Sequence, residues 1–103
     1  MNSEKKRKTA DLLGICLKAG KAVKGFDSAM EEVKNGNARC VLTAFDVSPK
    51  TFKEAMFSCG RRNVRVYATE LTKAELGKLC GKDTGVLAIC DPGFAKGFAK
   101  ILD

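Results

Sequence analysis

The chain has 103 residues, 45% of them hydrophobic and 30% charged, with only 2 prolines. That length suits one domain with its own core, and the composition excludes a disordered chain. Nineteen Lys and Arg against twelve Asp and Glu leave a formal charge of +7, the balance of a nucleic-acid binder and not of a partner for basic ligands.

Asn2 or Ser3 is placed to cap a first helix running to about Lys18, with Leu12, Leu13, Cys16 and Leu17 on one stripe. The apolar run from Leu12 to Leu17 is too short for a signal-peptide core, and nothing reaches transmembrane length. A soluble protein with no membrane partner is expected. Gly20 stops the helix, and Ala22 to Lys24 reads as a short strand. Phe26, Ala29, Met30 and Val33 recur at helical spacing and mark an amphipathic helix, which Gly36 closes. Cys40 to Phe45 is nearly all apolar, as in a strand covered on both faces.

Ser48 and Pro49 then supply an N-cap and a proline at the first helical position. Phe52, Ala55, Met56 and Cys59 repeat the helical spacing, and Val64 to Ala68 reads as a strand. Thr72 and Glu75 form a capping box for a short helix ending at Gly81. Val86 to Cys90 is another buried strand. Asp91 and Pro92 open a last helix with Phe94, Phe98 and Leu102 on one face. Its tandem GFAK tetrapeptide, residues 93–100, sets both Phe on one stripe and both Lys on another, the pattern of a docking helix with a wet basic side. Strands alternating with helices predict an α/β fold: one domain over residues 1–103, a three-layer α/β/α sandwich around a small, mostly parallel mixed central sheet.

Catalysis finds no footing. The chain has no histidine, so the commonest general base is missing. Its five cysteines are odd in number and lack a C-x-x-C pair; they read as small hydrophobes, not as zinc ligands. Reduced thiols point to the cytoplasm. The stretch Gly77 to Asp83 imitates a phosphate loop, but its glycines are one residue too close. Asp83 replaces the Ser/Thr that would meet magnesium, and the stretch precedes a strand where it should follow one. No cofactor or enzymatic activity is expected.

A binding surface remains. Residues 5–24 hold seven basic residues and one acidic residue, Asp11. Lys18, Lys21 and Lys24 crowd the approach to Gly25, so the next helix starts with free N–H groups and a positive dipole end in a basic setting. Asp27, Glu31 and Glu32 fit the ordinary pattern of acids near a helix start. The loop from Gly81 to Gly85 carries Lys82 and Thr84, and Arg61, Arg62 and Arg65 make a second basic cluster. With six Phe and one Tyr, most of them on core stripes, a structured RNA fits better than a base-stacking platform.

The segments LLGICLKAGKAVKG (12–25), Gly25 to Gly36, VLTAFDVSP (41–49), ELGKLCGKDTGVLAI (75–89) and DPGFAK (91–96) together resemble the ribosomal L7Ae superfamily, which includes the L30e and S12e proteins, and most closely its bacterial YlxQ-like branch. The resemblance implies a sandwich that binds kink-turn RNA or a ribosomal RNA element, as a monomer associated with the ribosome. In that family the start of the second helix enters the groove at tandem G·A pairs, and the loop before the last strand packs on a flipped-out nucleotide. Carried over, Gly25 permits close backbone approach, with Phe26 beside it. Asp27 and Ser28 take the base-contacting positions, and Glu31 the basic position one turn on. Lys82, Asp83, Thr84 and Gly85 form the nucleotide-packing loop, while Lys21, Lys24 and Lys34 supply phosphate contacts. The family pattern has Asn or Lys, then Glu or Gln, then Lys at the three helix positions; this chain has Asp, Ser and Glu. Those acids favour an alternative, a protein-interaction module that kept the fold and lost kink-turn binding. The net charge and the lysines favour RNA.

Overall fold

A computed structural model describes residues 3–103; the capping role given to Asn2 lies outside the described residues, and Ser3 is already helical. Five helices alternate with four strands: α1 (Ser3–Lys18), β1 (Ala22–Lys24), α2 (Phe26–Lys34), β2 (Cys40–Thr43), α3 (Pro49–Gly60), β3 (Arg65–Ala68), α4 (Lys73–Cys80), β4 (Val86–Ile89) and α5 (Pro92–Leu102). The predicted caps form. The Thr51 amide donates to Ser48 Oγ at 3.2 Å and the Phe94 amide to Asp91 Oδ2 at 3.0 Å. Glu75 N–H donates to Thr72 Oγ1 at 3.1 Å while Thr72 N–H donates to Glu75 Oε1 at 2.9 Å, a complete capping box.

The sheet has the order β1-β4-β2-β3. β2 and β3 pair in parallel, but β4 runs antiparallel to both β1 and β2. This corrects the expected mostly parallel pairing. β1, β2 and β3 share one direction, and β4 inserts between β1 and β2 against it, so that two of the three pairings are antiparallel. The cause lies in the segment before β4. After α4 the chain folds back on the helix, and the Thr84 amide donates to the Lys73 carbonyl at the helix start, at 3.3 Å. β4 therefore enters the sheet from the end at which β3 leaves it.

Each face of the sheet is covered. On one, α1, α4 and α5 bring Leu13, Cys16, Leu76, Cys80 and Phe98 onto Cys40, Leu42, Leu87 and Ile89. On the other, α2 and α3 bring Ala29, Val33 and Cys59 onto Val41, Val86 and Ala88. Phe98 is fully buried while Lys96 and Lys100 are exposed, so the GFAK repeat is a docking helix with a basic outer side. Gly97 permits the α1–α5 approach: a Cβ there would stand 2.9 Å from Leu12 Cδ2, in overlap. Burial pushes the thiols up, Cys16 and Cys59 to about 11 and Cys40 to about 12, which keeps them protonated and inert.

Two expected core residues are not core. β2 ends at Thr43, and Phe45 is 72% exposed in the loop beyond it. Met56 is 47% exposed, so the buried stripe of α3 is Ala55 and Cys59, with Phe52 partly covered. Among the described residues no helix is long and apolar enough to cross a membrane.

Candidate nucleic-acid interface

The site grows from the junction of β1 and α2. Gly25 is the N-cap residue of α2 at φ 96°, ψ 145°, a conformation that side chains rarely tolerate, and it offers no side-chain cap. Its carbonyl accepts from the Ala29 amide at 2.8 Å, the first turn of the helix. The N–H groups of Phe26, Asp27 and Ser28 thus precede the helical ladder and have no intrahelical partner. Gly25's own amide donates to the Val86 carbonyl at 2.9 Å, at the first residue of β4. The neighbouring Lys24 ammonium donates to the Cys80 carbonyl, at the last residue of α4.

Those two bonds tie the helix start to the ends of the segment between α4 and β4. Within that segment Gly81 caps α4 at φ 93°, its amide donating to the Gly77 carbonyl at 2.7 Å. Thr84 Oγ1 then donates to the Lys82 carbonyl at 2.8 Å. The Ala44 amide donates to the Gly85 carbonyl at 2.8 Å and moors the loop to the end of β2. Gly77 decides whether this fits: a Cβ there would lie 2.9 Å from the Asp83 amide nitrogen and 3.0 Å from its Cα. The glycine that imitated a phosphate-loop residue is a packing site, invisible as such without the loop above it.

The structure therefore brings together Lys24, Gly25, Phe26, Asp27 and Ser28 with Lys82, Asp83 and Thr84, at one end of the sheet. Lys82 and Asp83 are exposed; Thr84 is 3% exposed, so it shapes the loop and its hydroxyl does not face outward. Lys21 and Lys34 are not with them. The Lys21 carbonyl accepts from Cys90, past the far end of β4, and Lys34 ends α2. Lys34 instead lines a groove between α2 and α3, with Asp27, Met30, Glu31, Arg61 and Arg62. Arg65 leaves the arginine cluster: its guanidinium meets Asp103 at 2.6 Å and lies over the Tyr67 ring. Part of the basic density near the N-terminus is also paired within the protein. Lys6 pairs with Glu75 at 2.7 Å, Arg7 with Glu4 and Asp11, and Lys8 with Glu4.

The loop before β4 and the uncapped start of α2 thus form one surface at one end of the sandwich. The model of the ribosomal protein L7Ae/L30e/S12e/Gadd45 family matches residues 7–99. The chain belongs to this family. It is similar to RNA-binding protein YlxQ of Bacillus subtilis, 36% identical over 93 residues, covering 89% of this chain and 92% of that one. It is also similar to large ribosomal subunit protein eL30B of Schizosaccharomyces pombe, at 30% identity over 97 residues, 88% of this chain and 83% of the relative. Among solved structures, the Giardia lamblia 15.5kD RNA binding protein superposes with a TM-score of 0.80 over 98% of this chain and 87% of its own; at 22% identity it speaks to the fold alone. The alternation of strands and helices and the sandwich expected for this family are what the structure has.

Proposed function

We propose that this chain is a ribosomal-type RNA-binding protein that docks a structured RNA, a kink-turn or a ribosomal RNA element, on Gly25 to Ser28 and Lys82 to Thr84. It works as a cytoplasmic, ribosome-associated monomer, without catalysis or cofactor. The observation that carries the reading is the pair of hydrogen bonds that holds the two elements as one surface, Gly25 to Val86 and Lys24 to Cys80. Free N–H groups at a helix start bind phosphate oxygens, and a fixed second element beside them sets the register on the RNA. Membership of the L7Ae family and the names of the YlxQ and eL30B relatives support the same reading. Thr84 contributes by holding the loop, and Lys24 and Lys82 contribute charge. Lys21 and Lys34, at the far end of the sheet, reach only an RNA that extends past the docking element.

The test is titration of a kink-turn RNA, and of the same RNA without its tandem G·A pairs, across a range of salt. The expected result is a preference for the kink-turn that survives added salt. Equal, steeply salt-sensitive binding to both would reduce the interaction to phosphate attraction, and no binding at low salt would refute it.

One observation favours a second reading. Asp27 and Glu31 are exposed, and among the described residues neither forms an ion pair. Carboxylates set beside a phosphate backbone repel it, and a protein-interaction module would keep them for a basic partner.

A further inference from the structure

We infer that the groove between α2 and α3 holds an unpaired guanosine of the bound RNA, with its base read by α2 and its phosphate held by α3. The inference rests on the RNA-binding reading above and names a second contact for it. The groove has a volume of about 460 Å³, within the range of small-ligand sites. Its lining carries both signs of charge. Asp27, Glu31 and Lys34 stand at i, i+4 and i+7 on one stripe of α2, and Ser58, Arg61 and Arg62 line the facing end of α3. Met30 and Val33 give it an apolar floor, Val33 being 1% exposed.

All five charged side chains are exposed, and among the described residues none of them forms an ion pair. Elsewhere the chain pairs acids and bases at 2.6 to 3.5 Å; here Asp27 and Glu31 pair neither with Lys34 on their own helix nor with Arg61 and Arg62 across the groove. Arg61 is set in place by Phe57, its guanidinium 5.7 Å from the ring centroid. A ligand that satisfies both signs needs adjacent donors for the carboxylates and an anion for Lys34, Arg61 and Arg62. Guanosine monophosphate units have that form. The N1–H and N2–H₂ groups of guanine lie side by side and match a carboxylate in a bidentate pair, whereas adenine and uracil offer one donor beside an acceptor. Arginines take the phosphate as a fork, and the purine face packs on the part-exposed Met30. On this account Asp27 and Glu31 are specificity residues, and their departure from the basic family pattern has a purpose. The groove begins at Asp27, one residue past the uncapped Phe26, so a strand leaving the docking surface runs directly into it.

Backbone-amide NMR of the whole chain tests this with guanosine, inosine and adenosine 5′-monophosphates as probes, and inorganic phosphate as the anion control. Guanosine monophosphate is expected to shift Met30, Glu31, Ser58, Arg61 and Arg62. Inosine monophosphate, which lacks the 2-amino group, and adenosine monophosphate should bind about tenfold more weakly, the size of one lost base contact. Asp27→Asn with Glu31→Gln should abolish that preference, and Arg61→Ala with Arg62→Ala should weaken all three. Shifts by phosphate alone as strong as those by guanosine monophosphate would overturn the inference. So would stronger shifts by hexaglutamate, which would assign the groove to an acidic protein partner. Kink-turn titration separates this failure from that of the docking reading. Wild-type binding to the kink-turn with no groove response refutes the groove alone; a groove response without kink-turn binding supports the groove and refutes the docking mode alone.

Discussion

The two helical layers treat their charges in opposite ways. The layer of α1, α4 and α5 pairs several of them: Lys6, Arg7 and Lys8 meet Glu75, Glu4 and Asp11, and α4 opens on a complete capping box. The layer of α2 and α3 leaves them open: α2 has no side-chain cap, and among the described residues no ion pair involves either helix. One large aromatic stands at each extreme, Phe98 sealed under α1 and Phe57 68% exposed on α3. Three of the basic residues crowded near the N-terminus, Lys6, Arg7 and Lys8, are paired within the protein, while among the described residues the charge of α2, α3 and the Lys82 loop forms no ion pair.

The contrast is sharpest in stability. Phe98→Ala should cost about 3–5 kcal/mol, as for a buried aromatic truncation, and Phe57→Ala should stay within about 0.5 kcal/mol, as for an exposed position. Urea midpoints with an unchanged slope check both; comparable losses would dissolve the distinction between a sealed and an open layer. Next in size is Gly77→Ala. Its new methyl meets the backbone of Asp83, so a loss of about 1–3 kcal/mol is expected from overpacking, together with weaker RNA binding through a displaced Lys82 loop. Stability lost with RNA affinity intact would remove the loop from the site.

How much of this was legible beforehand follows from what each signal depends on. Caps at Ser48, Thr72 and Asp91 depend on residues three apart, and each one formed as read. The order of the sheet was not legible, because β4 takes its direction from a fold-back permitted by Gly77, a contact between α4 and the irregular chain beyond it. Phe45 misled because it ends an apolar run, although the strand stops at Thr43 and the Phe45 amide turns aside to the Leu71 carbonyl. The helix start at Gly25 was legible from glycine and flanking lysines. Its junction with the loop was not, since it rests on long-range bonds to Val86 and Cys80.

Smaller effects sharpen the closed layer. Thr72→Ala removes one half of the capping box and should cost about 1 kcal/mol, read as a lower thermal midpoint. The Lys6 hydrogen bond, and then the Thr72 amide, hold the Glu75 carboxyl below its ordinary value of 4.5. A carboxyl depressed in the folded state contributes stability above its unfolded pKa and loses it as pH falls through the lower folded value. Acid titration below pH 4.5 should therefore destabilise the wild type more than Lys6→Ala; identical acid profiles would mean that the pair does not matter.

The most direct test compares charge deletions in the two settings by the salt dependence of RNA binding. Lys24→Ala with Lys82→Ala should lower the slope of log affinity against log salt by about two, as each lost phosphate contact removes about 0.9, while Arg7→Ala with Lys8→Ala leaves it unchanged. A slope that falls for the Arg7 and Lys8 variant, and holds for the Lys24 and Lys82 variant, would contradict the account and move the RNA to the face of α1.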